Sequence, residues 1–197
     1  MNKRQKQGML LLLAGVVLVL CGLGIHLAQE RQDTMAGQTA ALLLQQLDQK
    51  ALPSETETED KTPDRDPEMP VKKYMGYTLI GSISIPSVGI CLPVLDDWSE
   101  DMLKVSPCRY RGSISGGDMI IMGHNYKSHF TPLQKIAVGA EVEFENTLGK
   151  VFRFRVAKIE YLHRTEGELL PSEEYPLTVF TCTPGGLERI VVRCELA

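Results

Sequence analysis

Leu177–Leu196 reads LTVFTCTPGGLERIVVRCEL: two apolar runs, Leu177–Cys182 and Arg189–Leu196, on either side of the connection TPGGLE. β-Branched and aromatic residues dominate both runs and suit extended chain. The Pro/Gly-rich connection between them suits a hairpin. Period-two alternation puts Ile190, Val192, Cys194 and Leu196 on one apolar face of the last run, and Arg189, Val191, Arg193 and Glu195 on the other. Working outward, runs of the same kind recur between turn residues: Tyr77–Ile85, Gly89–Leu95, Asp118–Met122, Glu141–Phe144 and the strongly alternating Val151–Tyr161. Helical turns are expected near Ser99–Val105 and Thr131–Ala137. Seven or eight short strands with little helix predict a mainly β domain over 74–197, a sandwich or a closed barrel.

The rest of the chain is organised differently. Residues 1–8 carry Lys3, Arg4 and Lys6, and Met9–Ala28 is a 20-residue apolar run broken only by His26, which is close enough to the end to reach the interface. At 1.5 Å per residue such a helix spans about 30 Å, the thickness of a hydrocarbon core. The run is longer than the apolar region of a cleaved signal peptide, so 9–28 is expected to be a transmembrane anchor. The basic flank of residues 1–8 predicts a cytoplasmic tail, with the remaining chain outside the cell. Residues 29–73 are expected to form a stalk. Its first part is helix-prone; its second, 51–70, has four prolines and seven acidic residues and reads as an extended acidic linker.

Composition excludes several classes. The chain has 197 residues, 43% hydrophobic and 23% charged, with net charge −4. That is ordinary globular usage, and it argues against a general nucleic-acid binder. Five cysteines are too few for a disulfide-dense miniprotein.

Four cysteines lie in the domain. Cys194 falls on an apolar face and is expected in the core. Cys91 sits among apolar neighbours. Cys182 ends a strand where a loop begins, a place where reactive side chains are presented. Parity alone also allows the pairs Cys91–Cys108 and Cys182–Cys194 in a disulfide-permissive compartment. A nucleophilic thiol needs a base. The candidates outside the anchor are His124, His129 and His163, with His124 favoured by its position just past the run DMIIM. A hairpin would bring Arg189 near Cys182 across its mouth, where a guanidinium could stabilise an oxyanion. Arg193, on the same face, is the alternative.

The segment TVFTCTPGGLERIVVRCEL resembles the sortase signature, T-L-x-T-C followed by a short loop and R-x-x-V. MIIMGHNYKSHFTPL resembles that family's apolar strand ending in G-H, and IGSISIPSVGICLPVL its opening strands. The three blocks fall in the family's order across most of Tyr77–Ala197. The resemblance implies a closed sortase-like β-barrel with short helices. It implies Cys182 as nucleophile, His124 as acid/base and Arg189 as transition-state stabiliser, with Thr181 shaping the oxyanion site. It further implies cleavage of an LPxTG-like sorting signal of secreted proteins through a thioester, with transfer to an amine acceptor of the cell wall or another protein. No cofactor and no metal are implied. Glu166, Glu168, Glu173 and Glu174 could hold calcium, as loop carboxylates do in some class A sortases, but a solvated acidic loop is the expected reading. The TCTP form resembles classes C and D. Val179 stands where the signature has leucine, Cys194 where a small residue is common, and neither a second hydrophobic segment nor the lid of typical class C enzymes is found. The alternatives are another thiol enzyme of the cell wall, and a membrane-tethered non-catalytic β-domain for binding or scaffolding.

Overall fold

The computed structural model describes residues 3–48 and 69–197. The linker expected at 51–70 therefore lies, except for Met69 and Pro70, outside the described residues.

The apolar runs become strands: β1 Lys72–Tyr74, β2 Tyr77–Ile85, β3 Ile90–Leu95, β4 Cys108–Arg111, β5 Met119–Met122, β6 Glu141–Asn146, β7 Val151–His163, β8 Leu177–Cys182 and β9 Glu188–Leu196. The expected turns of helix appear as α2, Glu100–Leu103, and a 3-10 turn at Thr131–Lys135. Ser99 caps α2 by accepting a hydrogen bond from the Met102 N–H at 3.1 Å. Further 3-10 turns at Pro86–Val88 and Gly167–Leu169, and the strands β1 and β4, were not expected from the sequence.

The sheet runs β1-β2-β3-β4-β5-β8-β9-β7-β6, and β6 returns to pair with β2, so eight strands close into a barrel with β1 as an extra strand on β2. Two pairings are parallel, β3 with β4 and β5 with β8; the others are antiparallel. Closure brings backbones together at Gly81, opposite Asn146. Its φ is +156°, and a Cβ there would lie 2.0 Å from the Glu145 carbonyl oxygen. Only glycine leaves room for that seam.

Inward alternation fills the barrel with Ile83, Val94, Ile121, Phe144, Val179 and Val192, all fully buried. Cys194 joins them as expected, whereas Leu196, read onto the same face, is 70% exposed where β9 runs past the core. Met69 also packs in this core, so the folded body begins ahead of Tyr74.

The outer face of β9 is not solvated. Val191 and Arg193 are buried because the chain between β7 and β8 folds across it, making a second cluster of Ile120, Leu170, Phe180 and Val191. Arg193 ties this layer down. It donates to the Leu169 and Leu170 carbonyls at 2.6 and 2.5 Å, to Thr178 Oγ1 at 3.1 Å and to Glu160 at 2.9 Å. A buried guanidinium with acceptors on every side is a structural strut.

Residues Lys3–Asp48 form one helix, α1, of 46 residues. Its first half contains an exposed 18-residue window of mean hydropathy 2.7, long and apolar enough to cross a membrane. Its second half does not stand free. Ala36, Ala40 and Leu43, spaced to share one helical stripe, are buried against the barrel. Near the end of the helix, Lys72 Nζ donates to the Gln46 carbonyl at 2.7 Å.

Replacing Gly81 by valine is expected to lower unfolding free energy by about 2–4 kcal/mol, through backbone strain plus overpacking. Urea unfolding of the parent and the variant measures the loss.

Candidate active site

Cys182 and Arg189 are direct partners across the β8–β9 hairpin. The turn between them is held by the Thr183 N–H and Oγ1, both donating to the Glu188 carbonyl at 2.9 and 3.1 Å. On the other side of β8, the parallel register with β5 ends at Met122↔Phe180, and the Gly123 N–H donates to the Phe180 carbonyl at 3.0 Å. One residue beyond Gly123 is His124; two beyond Phe180 is Cys182. β8 and β9 therefore present Cys182 and Arg189 at one end of the barrel, and the chain that leaves β5 through His124 emerges at the same end.

The local sequence explains each placement. Gly123 is required because the Phe130 ring packs on it; a Cβ would lie 2.2 Å from that ring, which is itself fully buried. Phe130 in turn donates its N–H to the His124 carbonyl at 3.2 Å, curling the 124–130 loop back on itself. The His124 ring stacks on Tyr126 with centroids 3.8 Å apart and planes 20° from parallel. The Arg189 guanidinium lies over the Phe180 ring, 5.7 Å from its centroid. It also lies against Gly167, where a Cβ would come within 3.2 Å of Nη1.

The site holds buried polar atoms without protein partners. Among the described residues, Arg189 Nη1 and His124 Nδ1 are both buried and have no hydrogen-bond partner. Such groups carry a desolvation cost of about 1–3 kcal/mol each, and a bound group that offers an acceptor to one and a donor or acceptor to the other would recover it. Thr181 Oγ1 is likewise unpartnered, but β8 alternation turns this residue inward with Val179, away from the face of Cys182. Burial pushes the His124 imidazole below the usual histidine range; Lys104 acts in the same direction, while Asn125, Glu100 and Asp33 oppose it. The resting imidazole is therefore neutral near pH 7.

The other candidates are placed elsewhere. His163 ends β7 opposite Glu188, so β9 separates it from β8, and its Nδ1 contacts Thr165 Oγ1 at 2.8 Å. His129 is buried behind the loop, with Tyr126 5.4 Å from its ring. Arg193 is committed to the strut described above. Cys21, Cys108, Cys182 and Cys194 are free thiols. The pairings allowed by parity do not occur: Cys194 sits opposite Leu177, at the far end of the hairpin from Cys182. Burial pushes the Cys108 and Cys194 thiols up to about 12, which makes them inert, whereas Cys182 is half-buried at the rim. Cys91 is exposed, because β3 turns it outward. Among the described residues no His, Cys, Asp or Glu cluster could hold a metal ion, the glutamates between β7 and β8 included. Tyr126 against the imidazole and Gly167 against the guanidinium were not legible in the sequence, since both contacts depend on how loops fold back.

A barrel of this topology, with a thiol, an imidazole and a guanidinium on one rim, has the make-up of a cysteine acyl-transfer enzyme. The family model described as Sortase domain matches residues 83–197, and the chain belongs to the sortase family of cysteine transpeptidases. No curated protein sequence matches it. Among solved structures it is 27% identical to sortase C from Clostridium perfringens SM101, covering 60% of this chain and 70% of that one at TM-score 0.53. It is 29% identical to sortase C1 from Streptococcus agalactiae, covering 60% and 67% at TM-score 0.53. Sortase A from Corynebacterium diphtheriae, at 23% identity, covers 61% of each chain at TM-score 0.55 and shares the fold. Membership of a transpeptidase family sets aside the scaffolding alternative.

Two measurements check this geometry. Alkylation of the folded protein should modify Cys182 and Cys91 and leave Cys108 and Cys194 protected until denaturant is added, as read by peptide mass spectrometry. Burial and the neighbouring His124 also push the His129 imidazole from 6.5 down to about 4, against Asp33 and the backbone of Ala36 and Val105. The unfolded chain then binds a proton that the folded chain refuses, so stability should fall as pH drops from about 6.5 to about 4, by about 3 kcal/mol in total. In His129→Leu that part of the pH dependence should vanish from urea unfolding curves.

Proposed function

We propose that this protein is a membrane-anchored sortase that cleaves an LPxTG-like sorting signal of secreted proteins and transfers the product to an amine of the cell wall or of another protein. The observation that supports the reading is the pairing of Cys182 with Arg189 across the β8–β9 hairpin, at the barrel end where β5 leads into His124. The Cys182 thiolate attacks the carbonyl before the scissile bond. Arg189, whose buried Nη1 has no protein acceptor, donates to the developing oxyanion. His124, as imidazolium, protonates the leaving amine as the C–N bond breaks, and a thioester remains on Cys182. Deprotonated again, His124 accepts a proton from the incoming amine, which displaces the thiolate and forms the new amide.

Two observations support the substrate and the setting. The sortase C of Clostridium perfringens, 27% identical to this chain, has been solved with the C-terminal cell wall sorting motif. The apolar stretch 9–28 of α1 is exposed throughout, a surface that calls for a hydrocarbon environment rather than water. The basic residues Lys3, Arg4 and Lys6 support an N-terminus in the cytoplasm and a barrel outside. Residues 1–8 then form the tail, 9–28 the anchor and 74–197 the catalytic domain.

Neutral imidazole predominates at neutral pH, because burial lowers the His124 pKa, so the imidazolium that protonates the leaving amine is a minority species. With a fluorogenic sorting peptide, Cys182→Ala should show no turnover. Arg189→Ala should lose about 10²–10³-fold in kcat, and His124→Ala about 10²–10⁴-fold. Parent-like cleavage by Cys182→Ala would refute the mechanism.

A further inference from the structure

The second half of α1 meets the barrel at the loop that carries His124. The Asp33 carboxylate accepts hydrogen bonds from the Lys127 N–H at 3.2 Å, the Ser128 N–H at 2.9 Å and the Ser128 hydroxyl at 2.5 Å. The same hydroxyl lies 3.0 Å from the Asp33 carbonyl. Contact this close depends on the helix surface: a Cβ on Gly37 would lie 2.9 Å from Ser128 Cβ. Ala36 and Ala40 are the neighbouring buried positions, and the Ala36 backbone faces the His129 ring. Lys127 adds an exposed ion pair to Glu30 at 3.9 Å.

Asp33 therefore fixes the tip of a loop with two functional ends. One end is the Tyr126 ring stacked on His124. The other is Phe130, bonded to the His124 carbonyl and packed on Gly123. With Tyr126 and Phe130 held, the imidazole has little freedom to swing away from Cys182. We propose that Asp33 is a positioning residue for His124, which makes the helix that leaves the anchor a structural part of the active site. The proposal rests on the reading of His124 as acid/base given above.

The test uses the full chain in detergent micelles, with Asp33→Ala, Asp33→Asn and, as a solvent-face control, Gln38→Ala. Asp33→Ala is expected to lower kcat for a sorting peptide by about 10- to 100-fold with KM unchanged, the usual scale for small misplacements of a reacting group. Asp33→Asn keeps an acceptor oxygen for Ser128 and should recover part of the loss, while Gln38→Ala should match the parent. Hydrogen exchange should rise in 124–130 of Asp33→Ala while β8 and β9 stay protected. Parent kcat in Asp33→Ala, or exchange raised across the whole barrel, would overturn the positioning role. If the parent itself cleaves no sorting peptide, the acyl-transfer reading fails and exchange alone decides: unchanged protection at 124–130 in Asp33→Ala overturns the proposal, and a local rise supports it.

Discussion

The parallel pairing of β5 with β8 is the constraint on which the site depends. It aligns two strands whose ends would otherwise have no reason to meet, and the Gly123 N–H bond to the Phe180 carbonyl locks the last step of that register. A slip by one residue would turn His124 or Cys182 to the opposite face. Gly123 matters for the same reason: by leaving space for the Phe130 ring it lets the chain turn at once into the loop, so the imidazole stands at the rim instead of continuing along the barrel.

Two of the molecule's apolar clusters flank that pairing. The inner one fills the barrel. The outer one, held by Arg193 and the chain between β7 and β8, covers the face on which Cys182 and Arg189 lie. Its consequence is electrostatic. Covering the guanidinium with Phe180 and Gly167 lowers the local dielectric, so a hydrogen bond to a developing negative charge is stronger there than at an open surface. The two arginines of β9 thus divide the work. Arg193 spends its donors on carbonyls and Glu160, and Arg189 keeps Nη1 unpaired.

What was legible in the sequence is what local pattern encodes. Alternation in Val151–Tyr161 and the TPGGLE connection mark β7 and the β8–β9 hairpin, and the hairpin alone brings Cys182 to Arg189. The identity of the histidine was open on spacing, because β5 and β8 pair across more than fifty residues and nothing local announces a parallel register; only the resemblance to sortases singled out His124. β4 was invisible as CRYR, a polar four-residue stretch that is a strand because β3 and β5 pair with it. The burial of Val191 and Arg193 on the outer face of β9 was not legible, because its cover comes from a loop with no periodicity. The stalk read as a spacer for a related reason: Ala36, Ala40 and Leu43 are small or isolated apolar residues, too weak a stripe to reveal a docking face until the barrel is beside them.

Because α1 runs without a break from the apolar stretch to its contact with Ser128, the barrel is seated rather than suspended. With 9–28 as the proposed anchor, Asp33 lies five residues past its end, about 7.5 Å along the axis at 1.5 Å per residue. The catalytic rim would then ride at headgroup height, its azimuth geared to the helix phase. One residue inserted between Ala28 and Asp33 would lift the rim by about 1.5 Å and rotate it by about 100° relative to the apolar stretch.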